Sequence, residues 1–208
     1  MTLPDLTLSA NLAVPDAARG LVVFAHGTGS DRHSRRNNHV ARVFGDHGLA
    51  TLVLDLLSAE EQNAAAAGLA GPDVRAQGDR VAMVCDWVRA GERIAPLPIG
   101  LFGASTGAAA VLFAAAARPH DVAAVVSRGG RVDLVGDALA EVRCPVQLVV
   151  GELDRVVAEA NHAAAPRFGG GAQVVEIGGA THLFAEPGTL DQVAERASDW
   201  FERHLGAG

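Results

Sequence analysis

The chain has 208 residues, of which 49% are hydrophobic and 20% are charged, a composition typical of a folded globular protein and not of a disordered one. Its formal net charge of -7 argues against nonspecific binding to nucleic acid. All 17 basic residues are arginines and tyrosine is absent, which excludes a Walker-type phosphate-binding lysine, a Schiff-base lysine and a tyrosine general acid. At this length, one domain spanning residues 1–208 is the simplest prediction.

Short, continuously apolar segments recur along the chain between amphipathic or turn-like segments. They predict strands over residues 21–27, 50–56, 97–103, 122–127, 146–151 and 173–179. Apolar runs without alternation are typical of parallel strands covered on both faces. Helices are predicted over 73–90 and 189–205, the second with a capping box formed by Thr189 and Gln192, and the Gly- and Ala-rich segment 63–72 is predicted to be a mobile loop. The pattern predicts an α/β fold, a mostly parallel sheet flanked by helices.

The first residues lack the basic region of a signal peptide, and no charge-free apolar run reaches the roughly 20 residues that span a bilayer. Cys85 and Cys144 both lie in apolar sequence, which favours buried free thiols over a disulfide or a catalytic thiol. We therefore expect a cytoplasmic protein with no membrane partner.

Residues 103–107 read Gly-Ala-Ser-Thr-Gly, where the predicted strand 97–103 meets a helix that begins near Thr106. The G-x-S-x-G pattern describes a nucleophile elbow, in which a strained turn projects the serine hydroxyl beyond the sheet. Glycine two residues either side of Ser105 removes side chains that would collide where strand and helix come close. The alternative is an ordinary glycine-rich turn, because the pattern is short.

A serine nucleophile needs a base, and the base needs a carboxylate that orients it. Asp154 follows the strand predicted over 146–151, and His182 follows the strand predicted over 173–179. Chain order and position at the carboxyl ends of strands therefore predict a triad of Ser105, Asp154 and His182. The competing acids, interpreted as helix-cap or surface residues, are Asp133, Asp137 and Glu152.

Two backbone amides are expected to receive the negative charge that develops on the substrate oxygen. One is the N–H of Thr106, directly after the nucleophile, and the other is the N–H of Thr28 in the loop after strand 21–27, with Gly29 as the alternative. His26 is interpreted as structural, hydrogen-bonded beneath this loop. No metal or organic cofactor is needed for this chemistry.

Two basic features near the predicted site are open to two interpretations each. Arg128 follows strand 122–127 at the edge where the triad converges, and an arginine there can hold a substrate carboxylate through a two-pronged hydrogen bond. The alternative is an ion pair with Asp133. The segment 31–38 is either an anion-binding loop or a solvated helix start.

Several segments together resemble the small bacterial α/β-hydrolases of the dienelactone hydrolase group: HGTGSDRHSRRN, LATLVLDLL, GASTG, SRGG, VVGELD and GATHLF. The resemblance extends from about residue 21 to residue 205 and implies the α/β-hydrolase fold. Dienelactone hydrolase proper has a cysteine nucleophile, so Ser105 points toward general esterase chemistry. Many relatives insert a lid between the strands that match 122–127 and 146–151. Here the gap holds a loop and a short helix predicted over 133–142, which implies an open site without a cap domain.

The residues and the resemblance together predict a serine hydrolase of the carboxylesterase type, acting on a small soluble ester or lactone through an acyl-enzyme. A thioesterase or an acyltransferase on the same triad is the alternative among enzymes. A noncatalytic binding protein that keeps the fold is the alternative from another class.

Overall fold

The structure is a computed structural model and describes residues 1–4 and 6–206; the predicted domain also includes residues 5, 207 and 208, which lie outside the described residues. Strands β1 (Thr2–Leu3) and β2 (Leu6–Thr7) pair with each other in antiparallel register. The other described strands are β3 (Ala10–Ala13), β4 (Leu21–Ala25), β5 (Ala50–Leu54), β6 (Ile99–Ala104), β7 (Val122–Arg128), β8 (Val146–Gly151) and β9 (Ala172–Ile177). They form one sheet in the order β3-β5-β4-β6-β7-β8-β9, parallel except for β3, which pairs antiparallel with β5.

Helices cover both faces of this sheet. The described α-helices are α1 (Arg35–Asp46), α2 (Ala59–Ala66), α3 (Val74–Arg89), α4 (Thr106–Ala117), α5 (Arg155–Ala164) and α6 (Thr189–Leu205). One apolar core lies between the sheet and the pair α3 and α4, and the other lies between the sheet and the pair α1 and α6. The mostly parallel α/β fold predicted from the sequence is therefore confirmed, and the antiparallel β3 is an addition to it.

The two cores differ in the size of their side chains. Against α1 and α6, the rings of Phe24, Phe44, Phe102 and Phe201 pack with centroids 4.9–5.7 Å apart. Against α3, the Ala-rich helix α4 is buried almost all round, because the sheet lies on one side and α3 on the other. Small side chains let these layers approach, so the helix behind the predicted nucleophile is held tightly in place.

Three local predictions are wrong in detail. Residues 63–66 of the predicted loop 63–72 belong to α2, which is capped by reciprocal hydrogen bonds between Ser58 and Glu61. Helix α6 is capped by Gly188 in a left-handed conformation, and the hydroxyl of Thr189 donates to the Glu186 carbonyl instead of closing a capping box. The segment predicted as one helix over 133–142 forms two 3-10 helices, Val132–Leu134 and Gly136–Glu141.

Both cysteines are free and buried, as predicted. Burial raises the pKa of the Cys85 thiol to about 12 and that of the Cys144 thiol to about 11, so neither is a ready nucleophile near neutral pH. Among the described residues, no helix combines the length and the apolar character that a bilayer crossing needs.

Candidate active site

Ser105 lies on a sharp turn between the last residue of β6 and the first residue of α4. Its φ of 53° is in the left-handed region, which a serine adopts only when the surrounding structure holds it there. The Ser105 N–H donates to the carbonyl of Arg128 at the end of β7 (3.0 Å), and the Ser105 carbonyl accepts from the N–H of Arg131 (3.1 Å). The end of β7 and the loop that follows it therefore hold the strained turn on both sides.

The two flanking glycines are required by contact distances. A Cβ on Gly103 would lie 2.5 Å from the Cα of Ala108, and a Cβ on Gly107 would lie 2.4 Å from the carbonyl oxygens of Ala25 and His26. Real Cβ atoms do not approach backbone atoms so closely. The reason predicted for the glycines, a close approach of strand and helix around Ser105, is the one that the structure has.

The structure brings the three predicted triad residues together. Nε2 of His182 lies 3.3 Å from Oγ of Ser105, and Nδ1 of His182 lies 2.6 Å from Oδ2 of Asp154. Because an ionised carboxylate can only accept a hydrogen bond, the proton between the two groups belongs to Nδ1, and Nε2, which faces the Ser105 hydroxyl, is available as a hydrogen-bond acceptor. The Asp154 side chain is 16% exposed and that of His182 37%, so the acid is shielded while the base reaches the cavity.

The competing acids are engaged elsewhere. Asp133 pairs with Arg131 at 2.7 Å, which holds the pKa of its carboxyl below the usual range. Asp137 contacts Arg167 at 3.1 Å, and Glu152 accepts from the backbone N–H of Gly179 at 2.7 Å. The acid that orients His182 is the one after β8, not the one after β7.

The loop expected to supply an oxyanion donor runs from the end of β4 to the start of α1. The Thr28 N–H donates to Oγ1 of Thr106 at 2.9 Å, and the two threonine hydroxyls are 3.0 Å apart. The Thr106 N–H is at the first position of α4, where no carbonyl of the helix can accept it. The Thr28 amide is thus already engaged in the unliganded protein, while Gly29 beside it has a left-handed φ of 75°.

Two buried groups hold this loop from below. The carboxylate of Asp55, after β5, accepts from the Arg32 backbone N–H at 2.7 Å and forms an ion pair with the Arg32 guanidinium. Nε2 of His26 accepts from the Leu56 N–H at 3.0 Å, and its Nδ1 lies 3.0 Å from the Gly27 carbonyl, so both ring nitrogens bond to backbone. His26 occupies the position beneath the loop that the sequence predicted.

Arg128 is the last residue of β7, directly opposite Ala104 on β6, and lies at the edge predicted for it. The alternative of an ion pair with Asp133 is wrong, because Asp133 is bound by Arg131. The Arg128 side chain instead donates through Nη2 to Oδ1 of Asn37, at 3.2 Å, and is 8% exposed.

A cavity of about 250 Å³ opens at Ser105, and its lining includes Ser105, His182 and Arg128 together with Thr28, Arg36 and Asn37. A second cavity, of about 470 Å³, lies across the 27–30 loop against Leu57, Leu69 and Pro72. The sequence did not single out Arg36 or Asn37 as lining residues. Their only signal was the basic segment 31–38, which carries no mark of its contact with Arg128 some 90 residues later.

A family model described as the dienelactone hydrolase family matches residues 8–206. This chain belongs to the dienelactone hydrolase family. A dienelactone hydrolase from Anabaena variabilis is 43% identical and superposes with a TM-score of 0.95, over 98% of this chain and 95% of that one.

Two more distant solved structures show the same fold. Est1E from Butyrivibrio proteoclasticus is 19% identical with a TM-score of 0.81, over 96% of this chain and 95% of its own. A serine hydrolase without a lid from Xanthomonas campestris is 21% identical with a TM-score of 0.77, over 100% of this chain and 95% of its own. The predicted α/β-hydrolase fold without a separate cap is therefore confirmed.

The chain also matches a curated protein that is more than twice as long. A Mycobacterium tuberculosis protein named "Putative phosphoribosyl transferase" is 50% identical over 198 residues, which are 95% of this chain and 44% of that protein. The chain thus spans less than half the length of the curated relatives it matches. The activity in that name is attached to the whole of the longer protein.

Proposed function

We propose that the protein is a serine hydrolase of the carboxylesterase type, which cleaves small esters or lactones through an acyl-enzyme. The observation that carries the proposal is the pair of contacts, 2.6 Å and 3.3 Å, that links Asp154 through His182 to Ser105 on a strained elbow. Family membership and the 43% identity to a dienelactone hydrolase support the hydrolase class.

The proposed reaction begins when Nε2 of His182 accepts the proton of the Ser105 hydroxyl as the serine oxygen attacks the carbonyl carbon. Asp154 keeps the proton of the imidazole on Nδ1 and stabilises the imidazolium that forms. His182 then gives its proton to the departing alcohol, which leaves the acyl group on Ser105. Water then attacks the acyl carbon as the same Nε2 takes one of its protons. His182 gives that proton back to Oγ of Ser105 as the bond between Oγ and the acyl carbon breaks, which releases the acid and restores the serine.

The negative charge on the carbonyl oxygen is assigned to two backbone donors. The N–H of Thr106 is one, and the N–H of Thr28 is the other, with Gly29 as the alternative. For Thr28 to act, its N–H must leave Oγ1 of Thr106, 2.9 Å away, and turn to the substrate oxygen. The hydroxyl of Thr106 therefore occupies the donor that the oxyanion would use.

The dimensions of the site favour small substrates. The cavity at Ser105 holds about 250 Å³, and the chain between β7 and β8 forms only the two short 3-10 helices. The larger cavity beyond the 27–30 loop, of about 470 Å³, offers room for the second half of an ester. A short acyl group at the nucleophile and a bulkier, more apolar group across the loop fit this arrangement. No metal or organic cofactor takes part in the proposed steps.

Labelling with a fluorophosphonate tests the proposal directly. Intact mass should show one stable adduct on the native protein and none on a folded Ser105→Ala variant. Short-chain aryl esters should be hydrolysed by the native protein before labelling, and neither by the labelled protein nor by the variant. A folded protein that neither takes up the probe nor hydrolyses any ester would instead be a binding protein on this fold. Faster turnover of thioesters, or transfer of the acyl group to an added alcohol, would move the assignment to the thioesterase or acyltransferase alternative.

A further inference from the structure

The Arg128 guanidinium is buried, and no carboxylate pairs with it among residues 1–4 and 6–206. Its Nη2 donates to the neutral oxygen of Asn37, at 3.2 Å, and its carbon atom Cζ lies 5.9 Å from the centre of the Phe102 ring. Its Nη1 is shielded from solvent and has no hydrogen-bond partner among residues 1–4 and 6–206. Arginine is rarely buried unless it is paired, because the charge loses its hydration.

The electrostatic surroundings make this burial more costly. Desolvation, and to a smaller degree the nearby charge of Arg36, lower the pKa of Arg128 to about 10. The side chain is still charged at neutral pH, so the free protein holds a buried cation that no carboxylate in the described part of the chain neutralises. An arginine in this position gains from any anion that reaches it.

The start of α1 adds to the positive potential at the same cavity. Its first turn contains Arg35 and Arg36 and no acidic residue, the opposite of what the helix dipole favours at this end. Arg36 lines the cavity, and within the described residues it forms no ion pair. Ser34, which caps the helix, and Ser30 bring hydroxyl groups to the same wall.

The balance of charge around the cavity is strongly one-sided. Arg36 and Arg128 both line it, and none of the described residues on its wall is an aspartate or glutamate. The carboxylate of Asp154 is paired with His182 and does not line the cavity. A ligand with a single negative charge would leave one of the two guanidinium groups uncompensated, whereas a dianion with several oxygens can accept from both.

We propose that this wall is an anion subsite for a dianionic oxyanion of the phosphate monoester kind, carried by the substrate and held by Arg128 and Arg36 next to Ser105. The ester part of this substrate rests on the proposed hydrolase function, and its negative charge is inferred from the two arginines. The substrate class is therefore a small carboxylic ester that bears a phosphate group. Its scissile carbonyl lies at the nucleophile, and its phosphate lies between the end of β7 and the start of α1.

Binding of inorganic phosphate tests the subsite without any reaction. Phosphate at mildly alkaline pH, where it is mostly the dianion, should bind to the Ser105→Ala variant as tightly as to the native protein, measured by calorimetry in a chloride buffer. Sulfate should compete, and acetate at the same ionic strength should bind at least about tenfold more weakly. Arg36→Ala should weaken phosphate binding about tenfold or more, whereas Arg35→Ala, an exposed neighbour on the same turn, should not.

Kinetics with matched esters then tests the substrate class. Three esters that differ only in a phosphate, carboxylate or neutral group should rank in that order in kcat/KM. The ratio of phosphate to neutral ester should fall about tenfold or more in both Arg36→Ala and Arg128→Met. Arg36 is half-exposed, so Arg36→Ala keeps the test valid even where Arg128→Met folds poorly.

Two results would overturn the inference. Equal binding of acetate and phosphate would make the subsite one for monoanions, and an unchanged ester ratio in Arg36→Ala would remove it altogether. The proposed function fails separately, because a protein that binds phosphate through these arginines without hydrolysing any ester would keep the subsite and lose the reaction.

Discussion

The cavity at Ser105 has two walls that differ in how their charges are satisfied. On the proposed catalytic wall, formed by Ser105 and His182, the Asp154 carboxylate lies 2.6 Å from His182, so the carboxylate and the imidazole are already paired in the free protein. On the arginine wall, formed by Arg36, Asn37 and Arg128, two cations line the cavity and only the neutral Asn37 answers Arg128. The charges of the first wall are matched in the free protein, whereas the second is the wall for which we propose an anionic ligand.

A third arginine at the same edge shows what a purely structural cation looks like. Arg32 is matched by Asp55, a carboxylate that is itself buried and accepts from both the side chain and the backbone of Arg32. The chain therefore supplies a counter-ion where an arginine serves to hold a loop. Arg128 has no such counter-ion among the described residues, which is the basis for proposing that its partner arrives with the substrate. Under the proposed function, the catalytic wall would act on any ester, and the arginine wall would select among esters by their charge.

The largest effect should come from breaking the catalytic wall at the nucleophile. Ser105→Ala removes the covalent step, so turnover of neutral and anionic esters should both fall by about 10⁴-fold or more. Initial rates with purified, folded variant and a check of the fold by circular dichroism measure this. Substantial residual activity in an uncontaminated preparation would place the nucleophile elsewhere, and a loss confined to anionic esters would merge the two walls into one.

The second effect concerns the acid of the same wall. Asp154→Asn keeps the shape but loses the charge that holds the His182 tautomer, and kcat should fall by about 10³–10⁴-fold for every ester. Asp133→Asn and Asp137→Asn are matched controls, because their partners are Arg131 and Arg167, and they should stay within about threefold of the native rate. A large loss in the Asp133 variant would place the acid after β7 instead.

The third effect is on stability, and it tests whether the charge of Arg128 is uncompensated in the free protein. Arg128→Met replaces a buried, uncompensated charge by an apolar chain of similar length, and the free energy of unfolding at neutral pH should rise by about 1–3 kcal/mol. Urea unfolding in chloride buffer measures it. The same concentration of phosphate should raise the stability of the variant less than that of the native protein, because only Arg36 is left to bind the anion. A variant less stable than the native protein in phosphate-free buffer would mean that Arg128 is already compensated.

The pH dependence of that comparison has a defined sign. The pKa of Arg128 is lowered to about 10 in the folded protein, so the unfolded chain holds the proton more tightly. Stability of the native protein should therefore rise relative to Arg128→Met as pH increases through about 10, where the folded protein begins to lose this charge. Below that range the difference between the two should be constant.

The elbow and the proposed triad could be predicted from the sequence because they depend on residues close together in the chain or on the order of the strands. Glycine spacing around Ser105 reports a contact between adjacent elements, and parallel strands bring Asp154 and His182 to one edge in chain order. The predicted mostly parallel sheet is confirmed for the same reason. The antiparallel β3 was missed because its four residues are mostly exposed and carry no continuous apolar run.

What the sequence could not predict are contacts between distant, polar residues. Arg128 contacts Asn37 only because the start of α1 lies across the end of β7, and nothing in either sequence segment predicts that contact. The alternative of an ion pair between Arg128 and Asp133 was wrong, since Arg131, only two residues from Asp133, takes that carboxylate. Gly188 replaced the expected cap of α6 because a left-handed residue can begin the helix without a side-chain acceptor.

The smallest effect concerns the Thr28 N–H, which is the proposed second oxyanion donor. In the free protein the Thr28 N–H donates to Oγ1 of Thr106, so this hydroxyl competes with the substrate oxygen for the amide. Removing a true oxyanion donor costs about 10²–10³-fold in kcat, but Thr106→Ala removes only the competitor and keeps both backbone amides. Its kcat should therefore stay within about tenfold of the native value, as should that of Thr28→Val, the matched control that loses only the facing hydroxyl. Single-turnover rates with a neutral ester separate this effect from substrate binding.

A loss beyond about 100-fold in Thr106→Ala alone would mean that the Thr106 hydroxyl itself donates to the oxyanion. In that case Thr28 would serve to position that hydroxyl, and its amide would not be the second donor.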